Sequence, residues 1–282
     1  MPLDTRAWIR EASTLAPLPQ AALRLIGILS RDDWEPAEVV EVVRLDPVLT
    51  GRVLGAANSA SAAGVKKILT VDDAVRRIGP RAIAGIAIAA GVRDRMSMPL
   101  PQFGLAEGEL WRHSVAALLA AEQASSHFHI PPSVAASTTA LLHDVGKLLL
   151  ARFLDADTVA YIRVAATESG LSAREAEREV LNISHGELGA LVAAHWGLPE
   201  EIVCTTQHHH DLANAPAALR RDVALVQLAD AAAKVVAPAK IRSPEESGER
   251  AGALAELGLE VAGFDAFCEA VGERFRRVGA SY

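Results

Sequence analysis

Leu141-Leu142-His143-Asp144-Val145-Gly146-Lys147 decides how this chain is read: an apolar helical run that ends in a histidine beside an aspartate. The periodicity places it in one helix over residues 134–153. An imidazole next to a carboxylate at the inner end of a buried helix offers two metal-ligating groups to one point. Outward from it the chain supplies more of the same chemistry, with Glu109 and His113 upstream and His185, the His208-His209-His210 run and Asp230 downstream. Glu109 and His113 lie four apart, so on a helix they share a face. Asp230 interrupts an otherwise apolar helix, where a carboxylate needs a partner.

Borderline metals such as Zn, Fe and Mn accept imidazole nitrogen and carboxylate oxygen, and a two-metal site needs a bridging carboxylate and an open position for water. The expected cofactor is therefore one or two divalent ions, Fe, Mn or Zn. His113, His143, Asp144 and Asp230 make a four-ligand core with Asp144 as the bridge, and Glu109, His185, His209 and His210 are available for additional ions. Asp144 and Lys147 are the catalytic candidates, since Lys147, one turn on, is placed to neutralise a phosphate oxygen. The implied reaction is attack of water on phosphorus. Plainer readings stand beside these: His143 and Asp144 as a core hydrogen-bonded pair, His113 bracing helices against Asp230, and Lys147 offsetting a helix dipole. His208 is expected in solvent, and His127, His129 and His195 show no partner pattern.

Half of the 282 residues are hydrophobic but only 4% are aromatic, so the interior must be built from Ala, Leu, Val and Ile, in closely approaching helices. A net charge of −7 argues against a general nucleic-acid binder, and the arginines Arg76, Arg77 and Arg81 read as a solvated helix face. Two isolated cysteines, no signal-peptide pattern and no apolar run of membrane-spanning length point to the cytoplasm. Helix signals recur throughout: a stripe after Pro19, Asp46-Pro47 and Thr70 as N-termini, a break at Gly79-Pro80, and a Ser184–Glu187 capping box opening a helix in which Leu188, Val192 and Trp196 lie in line with His185, so that His185 should face inward. No strand pair or hairpin is evident. The fold expected is all-α and two-lobed: an N-terminal helical lobe over 1–105, a second helical lobe over 106–237 that carries the His143-Asp144 pair, and a loop through Pro238–Glu249 followed by terminal helices within 238–282.

The order of these residues resembles the HDOD domain, a branch of the HD superfamily of metal-dependent phosphohydrolases. The likeness runs from about Leu15 to Ala233. It is carried by Leu18-Pro19, Leu45-Asp46-Pro47-Val48-Leu49-Thr50, Ala57-Asn58-Ser59, Thr70 to Gly79, Leu110-Trp111-Arg112-His113-Ser114, Leu141 to Lys147, His185 to Gly189, Trp196 to Pro199 and His209-His210. The resemblance implies a bacterial signal-transduction protein that works through a signalling protein partner, with a nucleotide as a possible ligand and a homodimer as a possible assembly. Many relatives lack the catalytic ligands. This chain keeps acceptable residues at the positions of the related HD-GYP phosphodiesterases (Glu109, His113, His143, Asp144, His185, His209, His210 and Asp230). It lacks their Gly-Tyr-Pro signature, because His210 is followed by Asp211-Leu212-Ala213-Asn214. A metal-dependent phosphohydrolase or phosphodiesterase acting on a nucleotide is the enzyme alternative.

Overall fold

The protein is described here by a computed structural model over residues 5–59, 67–131, 133–238, 246–279 and 282. Among these residues there is no strand; one isolated antiparallel bridge pairs Leu100 with Leu105. The first six helices are α1 (Thr5–Ala12), α2 (Gln20–Leu29), α3 (Pro36–Arg44), α4 (Pro47–Ser59), α5 (Val71–Ile78) and α6 (Pro80–Met96). They are followed by α7 (Glu109–His127), α8 (Val134–Leu142), α9 (Gly146–Leu150), α10 (Ala156–Glu168), α11 (Ala173–Leu181), α12 (His185–His195), α13 (Glu200–His208) and α14 (Arg220–Val236). Then come α15 (Glu246–Leu257) and α16 (Phe264–Val278).

Local chemistry sets the boundaries. Asp46 Oδ1 accepts the backbone N–H groups of Val48 and Leu49, each at 3.0 Å, and Thr70 Oγ1 accepts that of Asp73 at 3.2 Å. Gly79, at φ +84°, makes the turn that separates α5 from α6, a conformation that disfavours any residue with a Cβ. Asn58 ties its amide to Leu54 O and to both backbone groups of Ile68, so it fastens the entry to α5 and has a structural role.

The low aromatic content finds its meaning in α7 and α14. Ala116, Ala117, Ala120, Ala121 and Ala124 of α7 face Ala224, Ala229, Ala232 and Ala233 of α14 in one buried cluster. Side chains this small let two helix axes approach closely, and that approach sets His113 of α7 against Asp230 of α14. Helix α16 folds back on α7 and α14, where Arg274 pairs with the buried Glu122. Helix α1 reaches across to α12, with Trp8 edge-on to Phe153 at 4.8 Å between centroids.

Two expectations are corrected. The helix expected over 134–153 is broken: α8 ends at Leu142, His143 to Val145 form a turn closed by Val145 N–H on Leu142 O at 2.8 Å, and α9 starts at Gly146. The loop expected through Pro238–Glu249 gives way to helix by Glu246; residues 239–245 lie outside those described. Two helices, α10 and α11, occupy a stretch for which no element was expected. No helix among the described residues is long and apolar enough to cross a membrane.

Candidate metal centre

The break between α8 and α9 places two consecutive side chains inside the bundle. His143 is 1% exposed and Asp144 3%, and around them gather His113, His185, His209, His210 and Asp230 from α7, α12, the end of α13 and α14. His113 Nε2 lies 3.2 Å from His143 Nε2, 3.0 Å from Asp230 Oδ1 and 3.9 Å from Asp144 Oδ2. His143 Nε2 is 3.4 Å from Asp144 Oδ2, and His185 Nε2 is 3.5 Å from Asp144 Oδ1. Three groups have ligand atoms within 4.8 Å of one another: Asp144 with His185, His209 and His210; His113 with His143 and Asp144; and His210 with Asp230 and Glu249. Asp144 belongs to the first two.

The outer ring nitrogens are tethered. His143 Nδ1 lies 2.9 Å from Ala140 O, His209 Nδ1 2.7 Å from Thr206 O, His185 Nδ1 2.7 Å from Glu177 Oε2, and His210 Nδ1 3.1 Å from both oxygens of Glu249. An Nδ1–H donated outward leaves Nε2 as a lone pair aimed inward, the tautomer a metal requires. The inward Nε2 atoms of His185 and His209 are buried and have no hydrogen-bond partner among the described residues. A buried polar atom left in this way costs about 1–3 kcal/mol, and an inorganic cation removes that cost. The site thus fits one or two divalent ions of the kind that accept nitrogen and oxygen.

Each carboxylate also has a lysine on its own chain segment. Lys147 Nζ is 2.8 Å from Asp144 and Lys234 Nζ is 2.9 Å from Asp230. Burial raises the pKa of both aspartates, but Lys147, His143 and His185 around Asp144, and Lys234, His113 and His143 around Asp230, hold them well below the usual carboxylate range. Burial likewise opposes ionisation of Glu177, and the His185 imidazole and backbone overcome it. Burial, with His210, His143 and His185 nearby, pushes His209 well below the ordinary histidine value, and burial also lowers His210 against the pull of Glu249. His143 runs the other way: burial lowers it, but Asp144 and Asp230 raise it overall.

These directions fix a pH dependence for metal-stripped protein. The three depressed carboxylates stabilise the fold fully above their unfolded values of about 4, and that contribution disappears as pH falls through their folded values. His209 and His210 resist a proton that the unfolded chain accepts below about pH 6.5, so stability begins to decline there. His143 alone contributes below about pH 6.5 and loses that contribution as pH rises through its folded value. The urea midpoint of chelator-treated protein should therefore fall from pH 7.5 to 5; a flat or rising midpoint would contradict this electrostatic account.

Glu109 is not brought to the centre. Its carboxylate accepts Ala106 N–H at 2.8 Å at the start of α7, and it belongs to none of the three groups. His208 is half-buried and also outside them. His127 packs its ring on Phe128 and Phe267, while His129 and His195 are exposed. Trp111 and Trp196 are core residues. Sequence reasoning missed Glu177, Lys234 and Glu249. Lys234, four residues beyond Asp230 on the same helix, was legible as an i,i+4 pair.

A buried cluster of imidazoles and carboxylates at the junction of five segments of an all-α bundle places the molecule in the class of HD-type helical proteins. The HDOD domain family matches residues 15–212, and this chain belongs to it. An HDOD domain protein of unknown function from Geobacter sulfurreducens is 23% identical, with a TM-score of 0.70 over 99% of this chain and 98% of that one. A protein from Shewanella amazonensis SB2B, provisionally named a phosphohydrolase, is 25% identical, with a TM-score of 0.64 over 98% of this chain and 96% of that one. An uncharacterized protein of Treponema pallidum (strain Nichols) is 23% identical over 199 residues, which is 71% of this chain but only 38% of that relative.

Proposed function

We propose that this chain is a cytoplasmic signal-transduction protein of HDOD type whose second lobe holds one or two divalent ions at Asp144, His113, His143, His185, His209, His210 and Asp230. Its output passes through contacts between the helical surface and a signalling protein. The observation that carries the metal site of this reading is the pair of buried Nε2 atoms of His185 and His209, without a hydrogen-bond partner among the described residues and grouped with Asp144, their rings tethered by acceptors behind them.

A second reading, a metal-dependent phosphohydrolase acting on a nucleotide, is favoured by Lys147. Its ammonium lies against Asp144 and keeps the carboxylate ionised, and it is 21% exposed, so a substrate phosphate can reach it. A bound divalent ion supplies Lewis-acid chemistry to such a site. Asp144 then holds and orients the water's hydrogens, and Lys147 neutralises charge gathering on the phosphate oxygens.

Elemental analysis of protein prepared under metal-replete conditions, with an assay on bis(p-nitrophenyl) phosphate, separates the two. Stoichiometric metal without turnover supports the signalling reading. Metal with turnover that Lys147→Ala depresses supports the enzyme. Protein that holds no metal overturns both.

A further inference from the structure

Glu249 stands outside the residues matched to the family, on α15, yet it touches the candidate centre. Both of its oxygens lie 3.1 Å from His210 Nδ1, and it forms a ligand-distance group with His210 and Asp230. The arrangement repeats that of Glu177 behind His185. There the carboxylate comes from eight residues away in the chain; here it comes from thirty-nine. A carboxylate behind a ligating imidazole fixes the ring and raises its basicity toward the metal.

Helix α15 is otherwise held at some distance from the centre. Ala253 and Leu254 are buried in the cluster shared with α14 and α16. Arg220 Nε pairs with Glu256 at 3.1 Å. Arg250 lies over the Phe264 ring at 5.0 Å. The Glu249–His210 contact is thus a polar link between the docked helix and the candidate metal-binding side chains.

We propose that Glu249 is a positioning residue of the metal centre and that, through it, the seating of α15 and the occupancy of the His210 position are thermodynamically coupled. A metal that needs the His210 ring in one orientation strengthens the contact that orients it, and a seated α15 strengthens metal binding by the same factor. The C-terminal helices thereby report the state of the centre to the surface of the molecule. This inference rests on the metal-binding reading given above.

The test uses the full chain, with Mn²⁺ and Zn²⁺ titrated against a chromophoric chelator and amide exchange followed along α15. Glu249→Ala should weaken metal binding about 10–100-fold. Glu249→Gln keeps an acceptor for the Nδ1–H, so it should recover most of that loss. Metal should slow amide exchange in α15 of the parent protein and leave α15 of Glu249→Ala nearly unchanged. Glu249 is 23% exposed, so its truncation leaves the fold standing. Unchanged affinity in Glu249→Ala, no rescue by Glu249→Gln, or α15 exchange that ignores metal in the parent would each overturn the proposal. A parent protein that binds no metal overturns the metal-binding reading instead, so the two failures are distinguishable.

Discussion

Gly146→Ala should destabilise the protein by about 4 kcal/mol or more, at the extreme of single-substitution effects. Gly146 opens α9 directly after the His143–Val145 turn, and its backbone lies against the first turns of α12. A Cβ built there falls 1.9 Å from the carbonyl oxygen of His185 and 2.6 Å from the amide nitrogen of Gly189. Both are backbone atoms, so no side-chain rotation relieves the overlap. Either α9 or α12 must move, and α12 carries His185. The same substitution should therefore lower the urea midpoint and weaken metal binding together. Gly51→Ala is the control: Gly51 is exposed within α4 with nothing near its missing Cβ, and alanine there should stabilise by about 0.5–1 kcal/mol. Equal midpoints for Gly146→Ala and the parent would show that α9 and α12 are not packed as described.

Asp144→Asn should abolish all metal binding, whereas His113→Ala and His210→Ala should each remove one position and leave the other. Asp144 is shared by the group with His185, His209 and His210 and by the group with His113 and His143. Asparagine keeps the size of the side chain but is a poor ligand and cannot bridge two cations. The loss should exceed the 10–100-fold that removal of a supporting residue costs. Asparagine also leaves Lys147 without its ionised partner, so the chelator-treated variant should be less stable than the parent as well. Metal content read by elemental analysis decides the matter. A variant that retains one equivalent would show that Asp144 serves a single ion, and one that retains full occupancy would remove it from the centre.

Much of the architecture was legible from residue order, because helices announce themselves by apolar spacing and by caps such as Asp46, Thr70 and Ser184 that act within one turn. The convergence of His113, His143, Asp144, His185, His209, His210 and Asp230 was legible too, since buried imidazoles and carboxylates on apolar helix faces need one another. The break at His143 was not, because Leu148, Leu149 and Leu150 keep the apolar register going while the chain turns. Only the close approach to α12 at Gly146, a contact between distant segments, reveals it. Glu109 shares a helical face with His113, but the first turn of α7 claims its carboxylate for the Ala106 N–H, a local demand that outweighs spacing. Glu177 and Glu249 act through tertiary contacts to His185 and His210, and no pattern near them in the chain signals it.

The four tethered imidazoles differ in what holds them. For His143 and His209 the acceptor is a peptide carbonyl three residues back, so a single turn of chain selects the protonated nitrogen and aims the other. For His185 and His210 the acceptor is a side chain that arrives only when separate helices meet. Two of the four rings are thus oriented by one turn of their own chain, at 140–143 and 206–209, and two by contacts between helices. Loosening the bundle should therefore release the His185 and His210 rings before those of His143 and His209.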